Sequence, residues 1–114
     1  MTDPAVHVLR NAGDTGLPVE RNSLMTGKNS GYQAIVLAYL AGAARVVLLA
    51  YDMHYPGGVA HWHPEHPLQV PEEWYVGYAK HFAALVDCGM EIVNATPGSA
   101  LKCFPRMPIE EALA

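Results

Sequence analysis

The chain has 114 residues, 51% hydrophobic and only 16% charged, with a formal net charge of −4. That length bounds a single domain, residues 1–114, and the sparse surface charge suits contact with another subunit. An acidic balance with seven scattered Lys and Arg excludes a nucleic-acid backbone as partner, and no apolar run reaches the length of a membrane span.

The opening residues, MTDPAVHV, have neither the basic nor the apolar region of a signal peptide, so the expected address is cytoplasmic, in a bacterial host or phage-encoded. Ala5 to Arg10 alternates enough to predict a short strand, closed by the turn residues Asn11 to Asp14. Residues 12 to 30, rich in Gly, Asn, Asp, Ser and Thr, read as one long loop. A helix is expected to begin at Ser30, with Gln33 completing a capping box. It carries Tyr32, Ile35, Val36, Tyr39 and Leu40 on one face and stops at Gly42. Ala44 to Ala50 is continuously apolar, as in a strand of a parallel sheet covered on both faces. Pro71, Glu72 and Glu73 suit the positive end of a second helix, whose apolar face is Trp74, Tyr75, Tyr78, Phe82, Leu85 and Val86 and whose end is Gly89. Glu91 to Asn94 forms a third strand, and Pro108 to Leu113 a short terminal helix. Cys88 and Cys103 lack CxxC spacing and read as reduced core thiols.

The order strand, helix, strand, helix, strand predicts an α/β domain with a small parallel sheet and helices packed on it. Three strands leave open edges, from which homo-oligomerisation, or docking onto a missing amino-terminal domain, is expected. Ligands of open parallel sheets bind beyond the carboxyl ends of the strands. The polar clusters all fall on that edge: Asn11 and Asp14, the turn Thr26-Gly27-Lys28-Asn29-Ser30-Gly31, Tyr51-Asp52 with the histidine-rich segment behind it, and Asn94, Thr96 and Ser99.

Each cluster carries two readings. TGKNSG offers backbone amides, two glycines and a lysine at a helix start, suited to a phosphate, but it lacks full P-loop spacing and reads equally as a capped turn. Asp52 is either a ligand contact or a buried structural carboxylate. His61-Trp62-His63-Pro64-Glu65-His66 superficially matches the HxHxDH pattern of metallo-β-lactamase-type hydrolases, with zinc the expected metal on His61, His63 and His66. That fold needs more chain and more downstream ligands than are present. The same imidazoles read otherwise as surface residues, or as one general base, His61 or His63. Tyr51 and Trp62 are candidates for stacking a base or sugar.

TGKNSGYQAIVLAYLAGAARVVLLAYDM, GGVAHWHPEHP and IVNATPGSALKCFP together resemble the carboxyl-terminal half of phage and prophage proteins labelled norphogenetic. Those are distantly similar to Rossmann-like glycosyltransferases of the bacterial sialyltransferase and motility-associated-factor kind. The resemblance runs from about His7 to Leu113. It implies a small three-layer Rossmann-like domain that binds a nucleotide or nucleotide sugar. Asn29, Ser30, Gly31 and Gln33 become the helix-start motif, and Tyr51 and Asp52 the strand-end motif. Gly57, Gly58, His61, Trp62, His63 and His66 form the loop motif, and Asn94, Thr96, Pro97 and Ser99 the last. In such a transferase His61 or His63 would serve as base beside Asp52, with no essential metal. Two departures stand out: Ala50 occupies a position where the phage-type relatives carry Gly, and the relatives' amino-terminal half has no counterpart here.

Overall fold

The computed structural model of the protein describes residues 4–53 and 74–114, with the backbone alone at 75 and 76. It is an α/β domain of two parallel strand pairs and three short helices. The order is β1 (Arg10–Gly13), β2 (Ser23–Met25), α1 (Ser30–Leu40), β3 (Arg45–Leu48), α2 (Trp74–Ala83), β4 (Glu91–Asn94) and α3 (Ile109–Ala112). The expected helix start at Pro71-Glu72-Glu73 and the histidine segment lie outside the described residues.

The amino-terminal strand falls at Arg10–Gly13 rather than Ala5–Arg10, and the expected loop contains β2. The two pair in parallel, Arg10 with Ser23 and Asn11 with Leu24, before a bulge shifts the register so that Gly13 meets Met25. Residues 14–22 make the return without a helix, an unusually short parallel connection. β3 and β4 pair in register from Arg45 with Glu91 to Leu48 with Asn94. Among the described residues there are thus two two-stranded sheets and the order β-β-α-β-α-β-α, where one three-stranded sheet and β-α-β-α-β were expected.

Period-two alternation gives β3 and β4 two apolar faces. Val46, Leu48 and Ile92 join a large cluster with Tyr32, Ile35 and Val36 of α1, Phe82 of α2, and Leu85, Leu101 and Phe104. Val47, Val93 and Ala95 join a smaller one with Met107, Ile109 and Ala112. Phe82 is the hub of the first: fully buried, its ring centroid lies 5.5 Å from that of Tyr32, 6.1 Å from Tyr51 and 6.5 Å from Phe104. Burying one such ring is worth roughly 1.5–3 kcal/mol. The second helix ends at Ala83 rather than at Gly89, so Leu85 and Val86 lie beyond it, and its expected stripe is only partly an inner face because Trp74 is exposed.

Both ends of α1 are capped, which fixes its start at the edge of the strands. Its N-cap is Asn29 rather than Ser30. The Asn29 side chain accepts from the Tyr32 amide at 2.9 Å and donates to the Gly27 carbonyl at 3.0 Å, so the expected Ser30–Gln33 box does not form. At the other end Gly42, with φ +85°, donates to Tyr39 and Ala43 to Ala38, the paired bonds of a Schellman motif. Arg45 ties the sheet to the terminal helix, donating to the Ala112 carbonyl at 2.5 Å. No helix among the described residues is long and apolar enough to cross a membrane.

Candidate functional site at the carboxyl edge of the strands

Both parallel pairs end toward the same group of turns. After β2 comes Thr26-Gly27-Lys28-Asn29, where Gly27 and Lys28 adopt φ of +54° and +59°. A β-carbon on Gly27 would lie 2.1 Å from Cγ of Tyr32, so only glycine fits this turn over the first helical ring. The turn is tied to the residues after β1: Thr26 donates its amide to the Gly13 carbonyl at 2.8 Å and its hydroxyl to Asp14 Oδ1 at 2.9 Å. Lys28 Nζ stands 3.8 Å from Asp14 Oδ2, an exposed pair that contributes little to stability. Asn29 caps Tyr32, while the Ser30 and Gly31 amides at the positive end of α1 donate to no described residue.

Tyr51 joins this turn to both strand ends. Its phenol donates to the Gly31 carbonyl at 2.9 Å, and its ring lies so close that a β-carbon on Gly31 would stand 2.9 Å from Cε2. Its amide donates to Thr96 Oγ1 at 3.0 Å and its carbonyl accepts from Ser99 Oγ at 2.5 Å. Burial pushes its phenol above the ordinary tyrosine range. These bonds make Tyr51 a tether between three turns and fix the orientation of the ring that the sequence offers for stacking.

Asn94, Thr96 and Ser99 are buried and bonded to one another and to the backbone. Asn94 Nδ2 donates to Ser99 Oγ at 3.0 Å and to the Leu101 carbonyl at 3.1 Å, and its Oδ1 accepts from the Thr96 amide at 3.0 Å. The Thr96 hydroxyl donates to the Leu48 carbonyl at 3.4 Å, and Ser99 Oγ accepts from the Leu101 amide at 3.1 Å. Among the described residues no buried side-chain nitrogen or oxygen lacks a partner. The three residues spend their hydrogen-bonding capacity holding the turn after β3 in place.

That turn is strained. Ala50 and Met53 take φ of +63° and +55°, left-handed values that cost an L-residue roughly 1–2 kcal/mol each. Between them stands Asp52, half-exposed, its carbonyl accepting from Ala100 at 2.8 Å and its carboxylate accepting from no described residue. Asn11 lies within β1, and its Oδ1 accepts from the Gly13 amide at the strand's end at 3.0 Å.

The sequence missed one pair. Thr15 Oγ1 and Nδ1 of His81 lie 2.6 Å apart, joining the turn after β1 to α2. No local pattern signals it, since the spacing of His81 along α2 carries no information about a threonine in the turn after β1. Beneath the pair, the Tyr32 phenol accepts from the Gly16 amide at 2.7 Å and donates to its carbonyl at 2.9 Å; burial raises its ionisation above the ordinary range, partly offset by this bonding.

His61, Trp62, His63 and His66 lie outside the described residues, so the imidazole base and the zinc ligands are not located. Among the described residues no three His, Cys, Asp or Glu side chains gather to hold a metal. A separate open groove of about 640 Å³ lies on the smaller cluster's side of β4, lined by Leu49, Pro97, Arg106, Met107 and Ile109. It takes in Asn94 and Thr96 but not Tyr51, Asp52 or the 26–31 turn. Comparison of the chain with family models, curated proteins and solved structures finds no match.

Proposed function

We propose that the protein is a Rossmann-like nucleotide- or nucleotide-sugar-binding domain of transferase-like ancestry, of the phage and prophage kind, with its ligand at the carboxyl edge of the strands. The observation that carries this reading is the three-way tether at Tyr51. It holds the start of α1, the Asp52 turn and the turn after β4 together. A helix start whose first amides donate to no described residue, beside Lys28, suits a diphosphate, and Asp52 suits a ribose or acceptor hydroxyl. In a transfer reaction a histidine of the 61–66 segment takes the acceptor proton, with His61 and His63 the candidates. The charge of −4 favours a small ligand bound at one local positive site over a polyanion. The open edges of the two described strand pairs favour a homo-oligomer, or a second domain, that completes the pocket.

The test is thermal shift with CMP, UDP, GDP and ATP. At a hundredfold excess over its dissociation constant a bound nucleotide adds about 2.7 kcal/mol to stability, several degrees in melting temperature. Indifference to all four discards the reading.

A second reading has its own support. The saturated network of Asn94, Thr96 and Ser99 serves the fold without a ligand, as expected of a non-catalytic phage interaction protein that keeps an enzyme's architecture. Replacing Asp52 and His61 together then leaves stability and assembly unchanged while no nucleotide binds the native chain. A zinc hydrolase on the HWHPEH segment is the third reading, decided by metal analysis.

A further inference from the structure

We infer that the groove on the second face of the β3–β4 pair is the surface through which two copies of this chain associate about a two-fold axis. The inference goes beyond the nucleotide reading and stands without it, since the groove takes in neither Tyr51 nor Asp52. A parallel pair with two apolar faces needs cover on both. The buried side chains of α1 and α2 all enter the cluster of Val46, Leu48 and Ile92, on the first face. Met53 and Tyr78, the packed residues on either side of 54–73, belong to that face as well. Across the sheet, Val47, Val93 and Ala95 meet only α3, a helix of four residues, and Met107 of the segment before it. That segment is held to β4 by the Asn94 amide, which donates to the Pro105 carbonyl, and the Asn94 carbonyl, which accepts from the Met107 amide. So thin a layer leaves Val47, Met107 and Ile109 half-buried, and Leu49, the next residue in the row of Val47, 54% exposed.

The chemistry of the groove selects a second copy as its occupant. Asn94 and Thr96 in its lining are buried and bonded within the fold, and no buried side-chain nitrogen or oxygen among the described residues lacks a partner, so no such group waits for a small polar ligand. The charges on the lining are Arg106 and Glu110, both exposed and neither in an ion pair among the described residues. A strongly acidic or basic partner would meet one favourable and one unfavourable charge here. A second copy meets neither conflict, because a two-fold axis can set Arg106 of each copy against Glu110 of the other, the self-complementarity that an isologous contact requires. One charge of each sign also makes this patch neutral in a chain of net charge −4, so the copies meet where their mutual repulsion is least. Leu49, Pro97, Met107 and Ile109 supply the apolar centre and the two charges its rim.

The experiment is sedimentation equilibrium of the full chain from about 1 to 200 µM, a range that covers micromolar association. The proteins are wild type, Leu49→Asp, Arg106→Glu, Glu110→Arg and the double charge swap Arg106→Glu with Glu110→Arg. Wild type should dimerise. Each single charge reversal should weaken the dimer at least about tenfold, because the two-fold axis makes every change act twice and turns attraction into repulsion. The double swap restores opposite charges across the axis and should recover wild-type association to within about threefold. Leu49→Asp, which places a carboxylate in the apolar centre, should abolish the dimer, while circular dichroism of all four variants matches wild type because the altered residues are exposed. A wild-type chain that stays monomeric at the highest concentration overturns the inference in favour of another protein or a small apolar ligand. A dimer that survives both Leu49→Asp and Arg106→Glu overturns it in favour of the strand edges, and a double swap no better than the single reversals refutes the reciprocal pairing on which it rests.

Discussion

Replacing Ala50 by glycine should stabilise the protein, against the usual direction of that substitution. At φ +63° the methyl group of Ala50 crowds its own backbone, a cost of about 1–2 kcal/mol that glycine does not incur. The offsetting loss is the greater freedom of glycine in the unfolded chain, roughly 0.5–1 kcal/mol. Because Ala50 is exposed, no packing is lost, and the net gain is about 0.5–1 kcal/mol. For a domain of this size that raises the melting temperature by roughly 2–6 °C. The control is the same substitution at Ala34, exposed in the middle of α1, where glycine should cost about 1 kcal/mol. Calorimetric melting of the two variants decides the matter by sign. If Ala50→Gly melts below wild type by as much as Ala34→Gly does, the turn does not have the geometry described. Removing the methyl also bears on ligand access, because the residue precedes Tyr51 and Asp52; UDP affinity in Ala50→Gly should rise or stay level.

The remaining expectations concern the network and its surroundings. Asn94→Ala leaves the Thr96 amide and the Leu101 carbonyl without a buried partner, and should cost about 2–4 kcal/mol by urea denaturation at unchanged m-value. Gly27→Ala drives a β-carbon into Tyr32 at a left-handed φ, so the variant should lose its cooperative melting transition or unfold well below wild type. Tyr32 and Tyr51 both ionise above the ordinary phenol range near pH 10, because burial disfavours the phenolate. The folded state then binds protons more tightly than the unfolded one, so their contribution is complete below about pH 10 and is lost as pH rises through the folded values. Denaturation midpoints measured from pH 8 to 11 should show that decline, and Tyr51→Phe should make it shallower. Dialysed wild-type protein should retain far less than one zinc per chain, with no difference from His63→Ala; stoichiometric zinc lost in that variant would turn the reading toward the metal centre.

The sequence was most informative where local chemistry and burial agree. β4 at Glu91–Asn94 and the terminal helix matched expectation, the first because its apolar run is buried and the second because Pro108 starts it. The end of α1 was equally legible, since Gly42 is the residue a Schellman motif demands. Its beginning was not: Asn29 and Ser30 both suit a cap, and the choice was settled by the left-handed pair Gly27-Lys28, which sets the chain direction one residue earlier. β2 was hidden because Ser23-Leu24-Met25 is too short for any alternation to register, and β1 was displaced because Asn and Gly within Arg10–Gly13 read as turn residues. At the candidate site the residue types were legible and their roles were not. Asn94, Thr96 and Ser99 look the same in sequence whether they bind a ligand or brace a turn, and only their partners distinguish the two. His81 escaped notice because a lone histidine on an apolar stripe gives no hint of a threonine sixty-six positions earlier.

The separation along the chain between Arg45 and Glu91 has a kinetic consequence. β1, β2 and α1 are near neighbours in sequence and can assemble from short-range encounters, whereas zipping β3 to β4 must first close a long intervening segment at an entropic penalty. During refolding, the amide protons of Val46 to Leu48 and Ile92 to Asn94 should therefore gain protection after those of α1. The Tyr51 tether, which needs both halves, is then among the last features of the native molecule to form.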